Sequence, residues 1–171
     1  MKVINIFAGP GSGKSTTAAS IFTKLKKLNK KVEYVNEFAK DLTYEKSFDT
    51  LEDYLYIFAQ QHHMLHRLEN QVDYAICDGS FLLGYVFYSK NSIYDERLFK
   101  KMLLDVFNKY ENINFFLKRE DIVYQDYGRT ESLYEAKELD KKILTMLNKE
   151  KIDYKQLKTK HAVKNILKQI I

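Results

Sequence analysis

The residues best suited to chemistry lie in one run, Ala8-Gly9-Pro10-Gly11-Ser12-Gly13-Lys14-Ser15. Their order fits the Walker A pattern with alanine in its first position, between a predicted strand and a predicted helix. Glycines there let successive backbone N–H groups point inward at phosphate oxygens, and the helix behind them adds the positive end of its dipole. Lys14 can reach the β- and γ-phosphates of a bound triphosphate, and the Ser15 hydroxyl can ligate Mg²⁺. Gly9, Gly11, Ser12, Gly13, Lys14, Ser15 and Thr16 are therefore the expected ATP-binding set, with Mg²⁺ as cofactor. The run holds three of the six glycines and the one proline of the chain, so unusual backbone geometry is concentrated at the expected site.

Three further groups sit where strands should end. Asp78 closes the apolar segment Ala75-Ile76-Cys77, a place from which a carboxylate can hold the Mg²⁺ shell, or merely cap the next helix. Gly79 beside it would admit a second ligand close to the backbone. Glu37 follows Tyr34-Val35-Asn36. It can act as a base if the phosphoryl acceptor is a hydroxyl, or bind the sugar or base of a substrate whose acceptor is a phosphate. Lys40, one turn on, can meet a substrate phosphate, although both residues would also suit a solvated helix start. Arg119 and Arg129 bracket a polar stretch with Gly128 near its end. Two arginines placed so could close a short lid over the transferring phosphoryl group, since the guanidinium fork binds phosphate bidentately. They could equally pair with Glu120, Asp121 or Asp126 on the surface. Lys14, Arg119, Arg129, Glu37 and Asp78 are the catalytic candidates. Glu37, Lys40 and Gly79 are the substrate-binding candidates, and Ser15 and Asp78 the metal ligands.

These groups need elements to position them. Lys2 to Ala8, Val32 to Asn36, Tyr74 to Cys77, Ile113 to Leu117 and, more weakly, Ile152 to Leu157 read as strands. Helical spacing covers Lys14 to Leu28, Phe81 to Ser89, Tyr94 to Tyr110, Glu131 to Lys149 and Ala162 to Ile171. Glu37 to Tyr44 suits a short helix or turn. Thr50 and Asp53 make a capping-box pattern before a long helix to about Glu69, with Leu51, Leu55, Phe58, His62 and Leu65 on one stripe. His62 belongs with the core of that stripe. Tyr54, Tyr56, Gln60 and Gln61 on the same helix could line an acceptor pocket, with packing the default for the tyrosines. Alternating strands and helices predict an α/β fold with a parallel sheet and helices on both faces. Ligands of such sheets bind beyond the carboxyl ends of the strands, which is where the candidates fall.

Bulk composition sets limits. A length of 171 residues and a hydrophobic fraction of 45% suit one domain over residues 1–171, and exclude a disordered chain. No apolar run is long enough to span a bilayer, so no membrane partner is expected. The start, Met1 to Phe7, lacks the longer apolar stretch and cleavage site of a signal peptide. The single Cys77 cannot form an internal disulfide, and a cytoplasmic setting is expected. A net charge of +5 suits phosphate-bearing substrates but is modest for a nucleic-acid binder.

Taken in order, the phosphate loop, Glu37-Phe38-Ala39-Lys40, Asp78-Gly79, Tyr127-Gly128-Arg129-Thr130-Glu131 and Glu135-Ala136-Lys137-Glu138 resemble the P-loop nucleoside and nucleotide kinase superfamily. Within it they are most similar to small, often phage-encoded ATPases related to the nicotinamide riboside kinase domain. The resemblance spans nearly the whole chain. It implies a three-layer kinase-like fold, a five-stranded parallel sheet in the order 2-3-1-4-5, and phosphoryl transfer from ATP with Mg²⁺. For a phage-encoded protein the compartment would be the host cytoplasm. The arginine usual after the Asp-Gly of monophosphate kinases is absent, Phe81-Leu82-Leu83 standing there. The Asp-Arg pair of thymidylate kinases is replaced by Glu37 and Lys40. The expected activity is a kinase moving the γ-phosphoryl group of ATP to a small nucleotide or nucleoside, foremost a deoxynucleoside monophosphate. Alternatives are a kinase of nucleic-acid strand ends or modified bases, favoured slightly by the pI of about 9.0, and a nucleotide-dependent switch. A homodimer is an allowed assembly.

Overall fold

Alternate residues of the first strand face opposite ways, as the pleat requires. In the computed structural model, which describes residues 1–88, 93–120, 124 and 131–171, Val3 and Phe7 enter one apolar cluster and Ile4, Ile6 and Ala8 the other. This strand, β1 (Lys2–Phe7), lies at the centre of an all-parallel sheet with β2 (Val32–Val35), β3 (Tyr74–Asp78), β4 (Glu111–Lys118) and β5 (Lys155–Lys158). The strand order is β2-β3-β1-β4-β5, the order implied by the resemblance.

Helices cover both faces. Helix α1 (Lys14–Lys27) and the last helix, α8 (Thr159–Ile170), cover the Ile4/Ile6 face through Ala18, Ile21, Leu25, Ala162 and Ile166. On the other face lie α4 (Tyr54–His66), α5 (Gly84–Phe87), α6 (Glu96–Phe107) and α7 (Leu133–Lys149), packed by Leu65, Phe99, Leu103, Phe107, Ile143 and Leu147. Two short helices, α2 (Phe38–Tyr44) and α3 (Phe48–Leu51), bridge β2 to α4. No helix of the described residues is long and apolar enough to cross a membrane.

The structure departs from the sequence pattern where capping competes with periodicity. Asp53, not Thr50, caps the long helix: its carboxylate accepts from Tyr56 N at 3.0 Å. The chain therefore breaks between α3 and α4, and Leu55 rotates outward, 42% exposed. In α6 the buried stripe is Phe99-Leu103-Phe107, while Leu98 is 62% exposed beside the capping Asp95. The segment expected as one helix from Phe81 is a 3₁₀ turn (Phe81–Leu83) running into α5, begun by the Ser80 hydroxyl accepting from Leu82 N. Ser132 and Glu135 form a reciprocal capping box that starts α7. His62 is half-buried as an aromatic-stack member, between Phe58 and His66, with Tyr110 Oη 3.0 Å from its Nε2.

The sheet carries one polar element through its centre. Asn5 Nδ2 donates to Asn112 Oδ1 at 2.9 Å and Asn114 Oδ1 at 3.0 Å. Asn112 donates to Phe107 O and Tyr110 O, and Asn114 to Asp153 O, so the ladder ties β1 and β4 to the turns that precede β4 and β5. Asn5→Leu would leave two acceptors without their donor. We expect it to cost about 2 kcal/mol, read as a lower urea midpoint at unchanged m-value.

Candidate functional site

Four strand ends converge on one rim of the sheet. β1 delivers the phosphate loop, β2 Glu37, β3 Asp78 and β4 Arg119. Gly11 and Gly13 take φ of 72° and 88°, left-handed values that glycine adopts without strain. Gly13 occupies the cap position of α1, makes no side-chain cap, and the first helical turn carries no acid. The leading N–H groups of this 14-residue helix are thus left for an anion. Within the loop, Ser12 Oγ donates to Gly9 O at 3.0 Å and Lys14 Nζ reaches the same carbonyl at 3.2 Å. From outside, Thr159 Oγ1 stands 3.2 Å from Ser12 O and 3.1 Å from Lys118 O, joining the loop to β4 and α8.

The far side of the loop is held by ions. Asp140 of α7 accepts from Gly9 N at 2.6 Å through Oδ1 and from Arg119 Nε at 3.0 Å through Oδ2. Arg119 Nη2 in turn donates to Pro10 O at 2.8 Å. Arg119, predicted from sequence as one arm of a lid, is therefore an anchor of the phosphate loop in this conformation. Its predicted partner Arg129, with Gly128, lies outside the described residues, as does most of the stretch read as a lid.

Across the loop stand the carboxylates. Asp78 is only 3% exposed; its Oδ2 accepts from Tyr34 Oη at 2.8 Å, while Oδ1 has no hydrogen-bond partner among the described residues. A buried carboxylate oxygen left so marks a place for a bound water or a cation's hydration shell. Burial beside Asp78 pushes the Tyr34 hydroxyl far above the ordinary tyrosine range, keeping it a donor. Gly79, at φ 103°, turns the chain sharply, and a Cβ there would lie 3.0 to 3.1 Å from three carbons of the Glu37 side chain. Glu37 thus packs against the bare backbone of Gly79. Desolvation raises its pKa above the ordinary 4.5; Asp78 and Glu131 push the same way, and Lys14 and Lys40 oppose.

A cleft of about 520 Å³ runs from Pro10, Gly11, Lys14 and Ser15 past Glu37 and Lys40 to Phe48, Tyr54, Ile57 and Phe87. The structure therefore brings Lys14, Ser15, Thr16, Glu37 and Lys40 to one cavity. A smaller space of about 50 Å³ adjoins it between Glu37, Gly79 and Phe81. Tyr54 lines both, whereas Tyr56 is exposed and edges onto Phe38. Sequence reasoning missed Tyr34, Asp140, Thr159 and Glu131. Tyr34 carries only a position on the strand neighbouring Asp78; Asp140 and Thr159 are distant in sequence from what they touch and carry no local signal, and Glu131 stands in a run that resembles the family but implies no role for it.

A family model described as an AAA domain matches residues 3–164. Among solved structures, three of a deoxyadenosine kinase from M. mycoides are similar along their whole length. One, with products dCMP and a flexible dCDP, shares 17% identity over 99% of this chain and 98% of that one, with TM-score 0.58. Another, with bound dCTP, gives 19%, the same coverage and TM-score 0.58. A third, with bound dATP, gives 18%, 99% of each chain and 0.54. Identities this low speak for a shared fold. No curated protein matches this chain.

Two tests follow from the geometry. Asp140→Ala strands the Arg119 guanidinium and the Gly9 N–H, and should cost about 3 kcal/mol. At about 2–4 °C per kcal/mol for a chain this size, Tm should fall by roughly 6–12 °C in a thermal scan. For Glu37, the folded pKa lies above the unfolded one, so the folded state holds the extra proton between the two values. Wild-type stability relative to Glu37→Gln should then decline as pH rises from about 4.5 through the folded pKa, and level off above it. Urea titrations of both proteins across that range measure the difference.

Proposed function

The chain belongs to the AAA domain family, and from that premise we propose that it is an ATP-dependent phosphotransferase carrying the γ-phosphoryl group to the hydroxyl of a small nucleoside. The observation that carries this is Glu37. Its carboxyl lines the cleft that begins at the phosphate loop and packs on Gly79, and burial makes it more basic than an ordinary carboxylate.

The roles follow from position. Loop amides from Gly11 to Thr16 and the Lys14 ammonium hold the donor phosphates; the Gly9 N–H, expected among them from sequence, is taken by Asp140. Asp140 and Arg119 keep that loop in shape. Glu37 takes the proton of the attacking hydroxyl, and the apolar wall of Phe48, Leu51, Tyr54 and Phe87 receives the rest of the acceptor. The residues present fit Mg²⁺: the Ser15 hydroxyl would ligate it, and the unpartnered Asp78 Oδ1 would accept from its water shell. When bound, the ion neutralises charge on the β- and γ-phosphates. No group of three His, Cys, Asp or Glu among the described residues could hold a metal alone, so the ion would come with the triphosphate. On this reading residues 1–171 act as one catalytic domain.

Charge distinguishes a nucleoside from the monophosphate expected from sequence. The described residues lining the cleft include Lys14 and Lys40 as cations, against Glu37, Glu52 and Glu131. Lys14 is engaged by the donor. A phosphate dianion would then meet three carboxylates with Lys40 as its cation, whereas a neutral nucleoside meets no such penalty. Lys40 is the feature that favours the monophosphate as a second reading.

The test is ATP turnover against deoxyadenosine, deoxycytidine, their monophosphates and a DNA oligonucleotide, the first two chosen because dATP and dCTP occupy the structural neighbours. We expect phosphate on a nucleoside 5′-hydroxyl. Glu37→Gln should lower kcat by about 10²- to 10⁴-fold with no loss of affinity for an ATP analogue. Transfer confined to monophosphates or DNA, or ATP hydrolysis indifferent to every acceptor, would overturn the reading.

A further inference from the structure

Glu37 occupies the cap position of α2, yet its carboxylate makes no capping bond; its backbone is extended, at φ −83° and ψ 109°. Glutamate is a poor cap, and the N–H of the first helical residue, Phe38, needs another acceptor. A different helix supplies it. Gln61 of α4, only 5% exposed, accepts from Phe38 N at 2.8 Å through Oε1 and donates to Asn36 O at 2.8 Å through Nε2. The amide orientation is forced, because the flipped amide would set NH₂ against N–H and oxygen against carbonyl oxygen. One side chain therefore grips the backbone immediately before and after Glu37.

We propose that Gln61 is a positioning residue for Glu37: by capping α2 from outside, it leaves the Glu37 carboxylate free and aims it into the cleft. The inference rests on the reading of Glu37 as base. Sequence placed Gln61 among residues that could line an acceptor pocket. It does border the small space beside Glu37, but both polar ends of its amide are occupied by backbone. The Glu37 methylenes also lean on Gly79, where an added Cβ would lie 3.0 Å from Glu37 Cγ and the left-handed φ of 103° strains any side chain. A clamp on the main chain and a wall on the side chain together fix one carboxylate.

Gln61→Met keeps the shape and removes both bonds. With ATP and the panel deoxynucleoside that turns over fastest, it should lower kcat by about 10²-fold, the scale of a 1 Å misplacement. The affinity for a non-hydrolysable ATP analogue should stay within about twofold, since no loop contact changes. Because Gln61 acts through Glu37, the double variant with Glu37→Gln should be no slower than Glu37→Gln alone. Gln61→Glu serves if the methionine variant folds poorly. It keeps the bond from Phe38 N but sets a like charge beside Glu37, so the acid limb of the kcat–pH profile should move to higher pH. A double variant slowed by the product of the two single effects, or a full-speed Gln61→Met, overturns the positioning role while Glu37 keeps its own; an unmoved acid limb in Gln61→Glu counts against Glu37 as the titrating base. A full-speed Glu37→Gln overturns the base reading itself, and this inference with it.

Discussion

At Gly9 the phosphate loop touches α7 so closely that a methyl group would lie 2.4 Å from the carbonyl oxygen of Ala136. The Asp140 carboxylate bridges that contact, accepting from Gly9 N and holding Arg119 against Pro10 O. A short, partly buried, charge-assisted bond of this kind is worth more than a neutral one and tolerates little displacement. The consequence reaches across the fold. A loop that looks self-sufficient in sequence is given its shape by a helix about 130 residues later and by the end of β4, so the phosphate cradle is complete only when the sheet has closed with α7 on it. Non-local contacts of this kind form late and give cooperativity to the whole unit.

The other side of the cleft obeys a different constraint. Glu37 and Asp78 stand in one electrostatic neighbourhood, each unfavourable to the other, with Lys14 as counter-charge. The molecule tolerates this by giving each carboxylate its own support. Asp78 has the Tyr34 hydroxyl; Glu37 has the Gln61 clamp and the bare Gly79 backbone. Groups with perturbed protonation gather at functional sites because the perturbation is useful there. Here the raised carboxyl of Glu37 lines the cleft, and the Asp78 oxygen that lacks a partner among the described residues lies beside it in the same electrostatic neighbourhood.

Residues whose role is local were legible in the sequence. Gly11 and Gly13 announce their left-handed backbone, and β-branched strands alternating with amphipathic helices announce the parallel sheet. The rule that ligands bind at the carboxyl ends of strands then brought Glu37, Asp78 and Arg119 to one rim. The strand order came with the resemblance rather than from periodicity, which cannot order strands. What stayed hidden were the residues that hold others in place. Asp140 sits on an ordinary polar helix face, and nothing nearby marks it as the partner of Gly9. Tyr34 is one tyrosine among thirteen. Leu55 misled because a cap residue, Asp53, resets where its helix starts and so which way its apolar residues turn. Arg119 was found for its charge, but its anchoring role depends on a partner that only the folded chain brings near.

Lys14 links the two sides of the cleft, and its charge sets how Glu37 responds to a donor. Its ammonium now rests on Gly9 O and holds down the proton affinity of Glu37. On the proposed reading, a triphosphate seated in the loop would draw Lys14 onto its β- and γ-oxygens and add negative charge to the cleft that Glu37 lines. Both changes make Glu37 more basic, as any like charge brought near a carboxylate does. The base would thus gain strength when the group to be transferred is in place. The same field would repel an anionic acceptor most strongly at that moment and a neutral one hardly at all. Catalytic readiness and acceptor choice would then have one electrostatic origin, in a loop whose shape is fixed from the far side by Asp140.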